Sequence, residues 1–477
     1  MTRRVVAAGM RQWIALFAAA GIVAATLPFV RQHDGQIVEM LSKVKIAVTG
    51  DDSGANKKKL DPPALTGVDL ANLDDRRETV TAPAHGKRNA DLTVDAIYQR
   101  AAVSMLRQGS VYEGSVVMTD IRTGRVLVWA NHNQGRARDL AREANAPAAS
   151  IFKVVTGAAL IEAGVPLGEK FCYSGGGERR IVERDLESNP DRDKYCASLG
   201  MALGRSLNII FARLAKERLN RDNLHGAARR LGFGFSVPFD IPVEVSTVQL
   251  PEDGLGFART AAGFWNTTLS PFQGVNLAQT IANGGEMIRS HVVERVVDED
   301  GETVYSRPKQ RQVFKRVLDE RTAWAVARMM EQTVRNGTSF KSFHDRAGRP
   351  FLPDIRVAGK TGTLARKKPN TLYTWWVGFA PARKPEIALS VLVANRGKWR
   401  VKGTHVASDM LRLYFADRGA KGVRYPLSFK GRRRRGEMDP GGVPKVVPSD
   451  SKTPPAKGDS GQSAQKAESA AAARADG

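Results

Sequence analysis

Cysteine and histidine are scarce in this sequence. Only Cys172 and Cys196 occur among 477 residues, which excludes a cysteine-rich scaffold and a four-cysteine zinc site. A single bridge in an oxidising compartment and two unpaired buried thiols both fit two cysteines. The seven histidines are scattered, and none forms H-E-x-x-H or a comparable ligand pair, so neither a catalytic metal nor another cofactor is expected. Acidic residues are also short, 49 against 73 basic ones, a net charge of +24. Such a field draws anionic polymers of any kind, including phospholipid head groups and acidic wall polymers. The charge is spread along the chain and no nucleic-acid module accompanies it, so no nucleic-acid partner is expected.

Long apolar runs are missing but for one. Residues 13–30 carry no charge and, at about 18 residues, just reach the length needed to cross a bilayer. Arg3, Arg4 and Arg11 precede the run, which by the positive-inside rule keeps the amino terminus cytoplasmic and exports the chain beyond Val30. A cleaved signal peptide has the same charge order, and Ala24 and Ala25 leave that option open. Residues 1–30 are therefore expected as a cytoplasmic stub with a membrane anchor or signal. Residues 31–91, with a Gly-Asp-Asp-Ser-Gly-Ala-Asn-Lys-Lys-Lys stretch and Asp61-Pro62-Pro63, read as a stalk or linker. The Gly, Pro, Lys and Ser-rich end, residues 431–477, cannot bury enough apolar surface to order itself and reads as a disordered basic tail.

Between these ends, residues 92–430 show regular patterns. Thr93 to Gln108 has helical spacing, and Gly114–Thr119 with Arg125–Ala130 reads as a hairpin about an Ile121-Arg-Thr-Gly124 turn. Ser150 to Ala163 is helical, stopped by Gly164 and Pro166; Leu199 to Leu219 is helical but interrupted by Ser-Leu-Asn; 276–282 and 320–335 read as helices. Strands are expected at Ile355–Ala358, Leu372–Ala380 and Ile387–Ala394, then a helix at 405–415. Strands, many helices, strands and a helix make an α+β order.

Three short strings carry the chemistry: Ser150-Ile-Phe-Lys153, Ser206-Leu-Asn208 and Lys360-Thr-Gly-Thr363. A serine hydroxyl needs a base within hydrogen-bond reach to act as a nucleophile near neutral pH. Positions i and i+3 share a helix face, which brings Lys153 beside Ser150. Desolvation and nearby cations would lower the lysine pKa enough for it to take the serine proton. The start of a helix also favours negative charge developing at Ser150. Ser206 offers a hydroxyl to relay a proton to a leaving amine, and Asn208 an amide able to bind a peptide carbonyl and a lysine. Lys360, Thr361 and Thr363 suit a terminal carboxylate, and Gly362 reads as a missing side chain where substrate backbone lies close. Alone, S-x-x-K is weak and S-x-N nearly uninformative, while Lys360-Thr-Gly-Thr363 is the most specific; the three in this order point to an acyl-serine enzyme.

The triple resembles the signature of the penicillin-binding proteins and their relatives the serine β-lactamases. The interval from Ser206 to Lys360, 154 positions, is similar to that of the larger transpeptidases and longer than that of the compact lactamases. Ser270-Pro-Phe-Gln, Asn336-Gly-Thr-Ser and Trp376-Val-Gly-Phe-Ala-Pro381 resemble further family segments, so the likeness spans about residues 92 to 420. It implies an antiparallel five-stranded sheet flanked by helices, plus an all-helical subdomain, behind an N-terminal transmembrane helix. It implies catalytic roles for Ser150, Lys153, Ser206 and Lys360, substrate binding by Asn208, Thr361, Gly362 and Thr363, and an oxyanion hole from the N–H groups of Ser150 and Thr363.

The activity so implied is D,D-transpeptidation of peptidoglycan stem peptides through acyl-Ser150, with penicillins as covalent inhibitors. The site would lie on the periplasmic side of a bacterial inner membrane, and wall-synthesis proteins are implied partners. The short segment before residue 92 leaves no room for the glycosyltransferase domain of bifunctional relatives, so that activity is not expected. The rivals are a D,D-carboxypeptidase or β-lactamase that passes the same acyl group to water, and a non-catalytic β-lactam sensor or scaffold.

Overall fold

The structure, a computed structural model, describes residues 64–426 apart from 136–137, 176–179 and 398–400. The expected anchor at 13–30, the tail at 431–477 and the first half of the expected linker lie outside these residues. Among the described residues no helix is long and apolar enough to cross a membrane.

The described chain opens with strands β1 (Thr79–Pro83) and β2 (Asn89–Asp95), helix α1 (Ala96–Gln108), and the hairpin β3 (Glu113–Asp120) and β4 (Val126–Asn133). The short β5 (Ala146–Pro147) precedes a 3-10 turn, Ala149–Phe152, that runs straight into α2 (Lys153–Glu162). A mainly helical stretch comes next: β6 (Lys170–Tyr173), β7 (Tyr195–Ser198), α3 (Leu199–Arg205), α4 (Asn208–Arg218), α5 (Arg221–Arg230), α6 (Gly254–Ala261), β8 (Thr268–Leu269) and α7 (Pro271–Ala282). After it lie β9 (Glu286–Ile288), β10 (Val293–Val297), β11 (Thr303–Ser306), β12 (Val313–Arg316), α8 (Glu320–Arg335) and α9 (Phe340–Phe343). The chain closes with β13 (Ala358–Arg366), β14 (Thr371–Ala380), β15 (Ile387–Asn395) and α10 (Gly403–Asp417).

The main sheet is antiparallel with the strand order β13-β14-β15-β3-β4, so the early hairpin docks beside the last strands, Val391 opposite Val116. Helices cover both faces, which is why β14 and β15 read as unbroken apolar runs and not as alternating ones. Trp375, Val377 and Phe379 pack toward α7 with Phe272 and Val275, whereas Trp376, Leu389 and Val391 pack toward α1 and α10 with Met105, Met410 and Tyr414. Local chemistry sets the helix starts. Asp319 caps α8 by accepting from the Thr322 N–H, and Ser270 caps α7 by accepting from Gln273 with Pro271 in the first turn.

Three expectations need correction. The segment 31–91 is not linker throughout: β1 and the start of β2 fall inside it, and β2 pairs with β10, some 200 positions later, in a four-stranded sheet β1-β2-β10-β11. Strand β2 has little local signal, because one of its two partners is remote in sequence. The helix expected from Thr93 begins at Ala96, where Asp95 caps it; the residues before it are the end of β2. The strand expected at Ile355–Ala358 runs instead from Ala358 to Arg366, so Lys360 and its neighbours lie within a strand and not at its exit.

Candidate active site

The turn that bears Ser150 is held from three sides. The Ala148 N–H donates to the Thr267 carbonyl at 3.2 Å, and the Trp375 indole N–H donates to the Pro147 carbonyl at 2.9 Å, tying the turn to β14. Ala149 takes a left-handed φ of 50°, unusual for a residue with a Cβ, and it is buried. Against it sits Gly263, φ +77°, where an added Cβ would fall 2.6 Å from the Ala149 carbonyl oxygen and 2.9 Å from Ser150 Cα. Only glycine allows that approach. Ser150 lies in the 3-10 turn, one turn ahead of α2, and Lys153 is the first residue of α2.

Lys153 Nζ is fully buried and 3.0 Å from Ser150 Oγ. It also lies 2.7 Å from Asn208 Oδ1 and within hydrogen-bond reach of the Ala262 carbonyl. Burial, reinforced by the nearby Lys360 charge, holds its pKa well below the ordinary amine range. A neutral amine has two N–H groups and one lone pair. In that form Asn208 and Ala262 would take the two N–H groups and the lone pair would face the Ser150 hydroxyl.

A second lysine–serine pair faces the first. Ser206 ends α3 in a left-handed conformation, φ 59° and ψ 40°, which breaks the helix and lets Asn208 start α4 at the same depth. Lys360 Nζ, also fully buried, donates to Ser206 Oγ at 3.0 Å and to the Thr361 carbonyl at 2.8 Å. Desolvation pushes its pKa down to about 7. The three strings, far apart in sequence, thus converge on one cleft of about 910 Å³ that Ser150, Ser206, Asn208, Thr361, Gly362 and Thr363 all line. β13 is the outermost strand of its sheet, so alternate backbone groups on its free side remain for a ligand. Gly362 also has a packing role that its sequence did not suggest. A Cβ there would meet Ile151 Cγ1 at 3.2 Å and the Ala148 carbonyl at 3.3 Å, so its small size lets β13 pack against the Ser150 turn.

Residues 114–412 match the family described as the penicillin binding protein transpeptidase domain. The chain belongs to this family. Among its relatives is a peptidoglycan D,D-transpeptidase PbpA of Mycobacterium tuberculosis, 26% identical over 343 residues that cover 64% of this chain and 67% of the relative. A penicillin-binding protein 1A of Neisseria meningitidis is 25% identical over 395 residues, 78% of this chain but only 45% of the relative. The fold matches penicillin-binding protein A from M. tuberculosis in its imipenem acyl-enzyme complex, with a TM-score of 0.57 and 24% identity over 69% of this chain and 80% of that one.

Within this transpeptidase domain, sequence reasoning missed several groups that shape the cleft. Ala262 and Gly263 supply a backbone acceptor for Lys153 and the seat for Ser150, yet Ala-Gly has no recognisable motif. Thr338, in the Asn336-Gly-Thr-Ser segment, brings its hydroxyl against that of Thr361 and donates its N–H to the Gly204 carbonyl at 3.1 Å. Arg205, Lys367 and Lys402 add basic side chains to the lining, and among the described residues that lining holds no Asp, Glu or His. The two cysteines form a disulfide, Cys172–Cys196, across the β6–β7 pair that leads into α3.

Proposed function

We propose that this protein is a peptidoglycan D,D-transpeptidase that works through an acyl-Ser150 intermediate. The observation that carries the reading is the pair of buried lysine–serine contacts, Lys153 with Ser150 and Lys360 with Ser206, each 3.0 Å, on two sides of one cleft. Neutral Lys153 takes the proton as Ser150 Oγ attacks the carbonyl of the penultimate D-Ala. The N–H groups of Ser150 and Thr363 receive the developing oxyanion. Lys360, through the Ser206 hydroxyl, delivers a proton to the departing D-Ala amine, while Thr361 and Thr363 hold that residue's carboxylate. Asn208 fixes Lys153 and offers its amide to the substrate backbone.

Aminolysis is favoured over hydrolysis by the makeup of the cleft: with no carboxylate or imidazole in its described lining, it has no base dedicated to water beyond the lysine–serine pairs that serve an amine equally well. The names of the mycobacterial relatives and the acyl-enzyme complexes solved for one of them support the same reading. Penicillins, whose strained amide and carboxylate mimic D-Ala-D-Ala, would acylate Ser150. The uncharged run at 13–30 would hold the domain at the outer face of the inner membrane. Labelling by a fluorescent penicillin tests the assignment. It should vanish in Ser150→Ala and persist for many turnovers' time in the wild type; labelling that survives the substitution, or that decays rapidly to hydrolysed drug, would sink it.

A further inference from the structure

The large apolar side chains left exposed among the described residues are few, and they are not scattered. Of these seven, three, Val313, Phe314 and Trp324, fall on β12 and the second turn of α8. Phe314 and Trp324 are 51% and 61% exposed, and clustered apolar exposure marks a contact surface. Arg316 reaches Glu320 at 4.0 Å, which sets the end of β12 beside the first turn of α8. The stretch is also basic: Arg307, Lys309, Arg311, Lys315, Arg316 and Arg321 stand against Asp319 and Glu320. Glu286 holds Arg311 and Arg316, each at 2.9 Å, whereas among the described residues no ion pair engages Lys309, Lys315 or Arg321. The acidic turn from Asp298 to Glu302 precedes β11 and bounds the basic stretch.

The form of the patch narrows what it can touch. β12 pairs only with β9, so its outer edge is open, and all four of its residues are exposed. Successive side chains alternate, so Val313 and Phe314 point to opposite faces of this ribbon. An open edge needs water or head groups for its N–H and C=O groups, which the interfacial zone of a bilayer supplies and the hydrocarbon does not. Aromatic rings seat at that depth, and lysine stems lie along the apolar boundary with their ammonium groups among phosphates. A second copy of the chain fits poorly, because a two-fold contact would set the basic stretch against itself. The path of the chain favours a membrane. Positions 31–63 are all that separate the expected membrane run from Ala64. From there the chain joins β1, the Asp69 N–H donating to the Pro83 carbonyl at 2.9 Å. β1 is one edge of the sheet whose other edge, β11, leads into β12. Val313, Phe314 and Trp324 do not line the catalytic cleft, so covering them leaves its lining untouched.

We propose that β12 and the start of α8 form a membrane-surface site for anionic phospholipid head groups. Phe314 and Trp324 seat at the interface, and Lys309, Lys315 and Arg321 meet the phosphates. This rests on the reading that residues 13–30 hold the protein in a membrane. A single attachment restrains distance and not orientation; a second one on the domain itself fixes which way the cleft faces.

The test uses the full chain in lipid nanodiscs, made of phosphatidylcholine alone or of equal parts phosphatidylcholine and phosphatidylglycerol. It reads hydrogen exchange in the peptide spanning 307–318. At low ionic strength the anionic discs should slow that exchange at least about five-fold relative to the neutral ones, the scale of one lysine or arginine at an anionic surface. High salt should shrink the difference. The β6–β7 pair, which bears the exposed Tyr195, should exchange alike in both. Lys309→Glu/Lys315→Glu should erase the protection and Phe314→Ser should reduce it, with penicillin labelling as in the wild type. Lys216→Glu/Arg218→Glu, the same charge change at the exposed end of α4, should leave it in place. A chain that does not enter the discs overturns the anchor reading. A chain that enters them and exchanges alike in both lipids overturns the surface site alone. Protection removed equally by Lys216→Glu/Arg218→Glu belongs to net charge and overturns it too. So does protection in detergent that grows with protein concentration, since a second copy would then cover the patch.

Discussion

Gly263→Ala tests whether the Ser150 turn is positioned by backbone packing. The added Cβ would stand 2.6 Å from the Ala149 carbonyl oxygen, and ordinary contact begins near 3.4 Å, so the turn must recede by about 0.8 Å. Alanine at φ +77° also costs about 1 kcal/mol in backbone strain. With about 1–3 kcal/mol for overpacking, a loss of roughly 2–4 kcal/mol in urea unfolding is expected. The kinetic effect should be larger in proportion. Displacing a nucleophile by close to an ångström costs about 100-fold, and the second-order rate of acylation by a fluorescent penicillin reads it directly. Gly164→Ala supplies the control: its φ is +84° but nothing lies within 4 Å of the added Cβ. It should lose only about 1 kcal/mol and acylate at the wild-type rate. A folded Gly263→Ala protein acylating within about three-fold of wild type would refute the claim that this contact sets the nucleophile.

The remaining predictions concern charge and stability. Because desolvation pushes Lys360 down to about 7, its cation, the form that donates to Ser206 and offsets a carboxylate, is lost as pH rises through 7. Acylation by a penicillin should therefore fall on the alkaline side of about 7, and a penicillin methyl ester should lack the carboxylate-dependent part of that fall. Asp193→Ala would leave the buried Arg213 guanidinium with only the Cys172 and Asp185 carbonyls as partners among the described residues. A loss of about 3 kcal/mol in urea unfolding is expected, and a loss below about 0.5 kcal/mol would mean the pair is not holding the β6–α3 segment. Reduction of Cys172–Cys196, 24 positions apart, should lower stability by about 3 kcal/mol. The urea midpoint with and without reductant measures it, with Cys172→Ser/Cys196→Ser as the reagent-free comparison.

Much of this protein was legible from sequence because the governing signals are local. The β3–β4 hairpin announces itself through β-branched runs about Gly124. The limits of α8 follow from Asp319 before it and the apolar stripe within it. The paired faces of β14 and β15 follow from their unbroken hydrophobicity. The meeting of Lys153 with Ser150 was legible too, since S-x-x-K places an amine one helical turn from a hydroxyl wherever that turn lies. β1 and β2 were hidden because a five-residue and a seven-residue strand form a short hairpin whose other edge is covered by β10, about 200 positions away. Gly263 and Ala262 were hidden because their contribution is a backbone atom and a missing Cβ, which no motif encodes.

The sequence by itself pointed to Ser150, Lys153, Ser206 and Lys360 and to most of the helices and core strands, because propensity, capping and periodicity act over a few residues. Only the tertiary structure decided what those residues are chemically. Burial of Lys153 and Lys360 together in one cleft depresses both amines. The left-handed turn at Ser206 sets its hydroxyl on Lys360, and close packing of Gly263 and Gly362 fixes Ser150 between them. Desolvation and sub-ångström placement depend on everything that surrounds a group, and that neighbourhood exists only once distant segments of the chain have met.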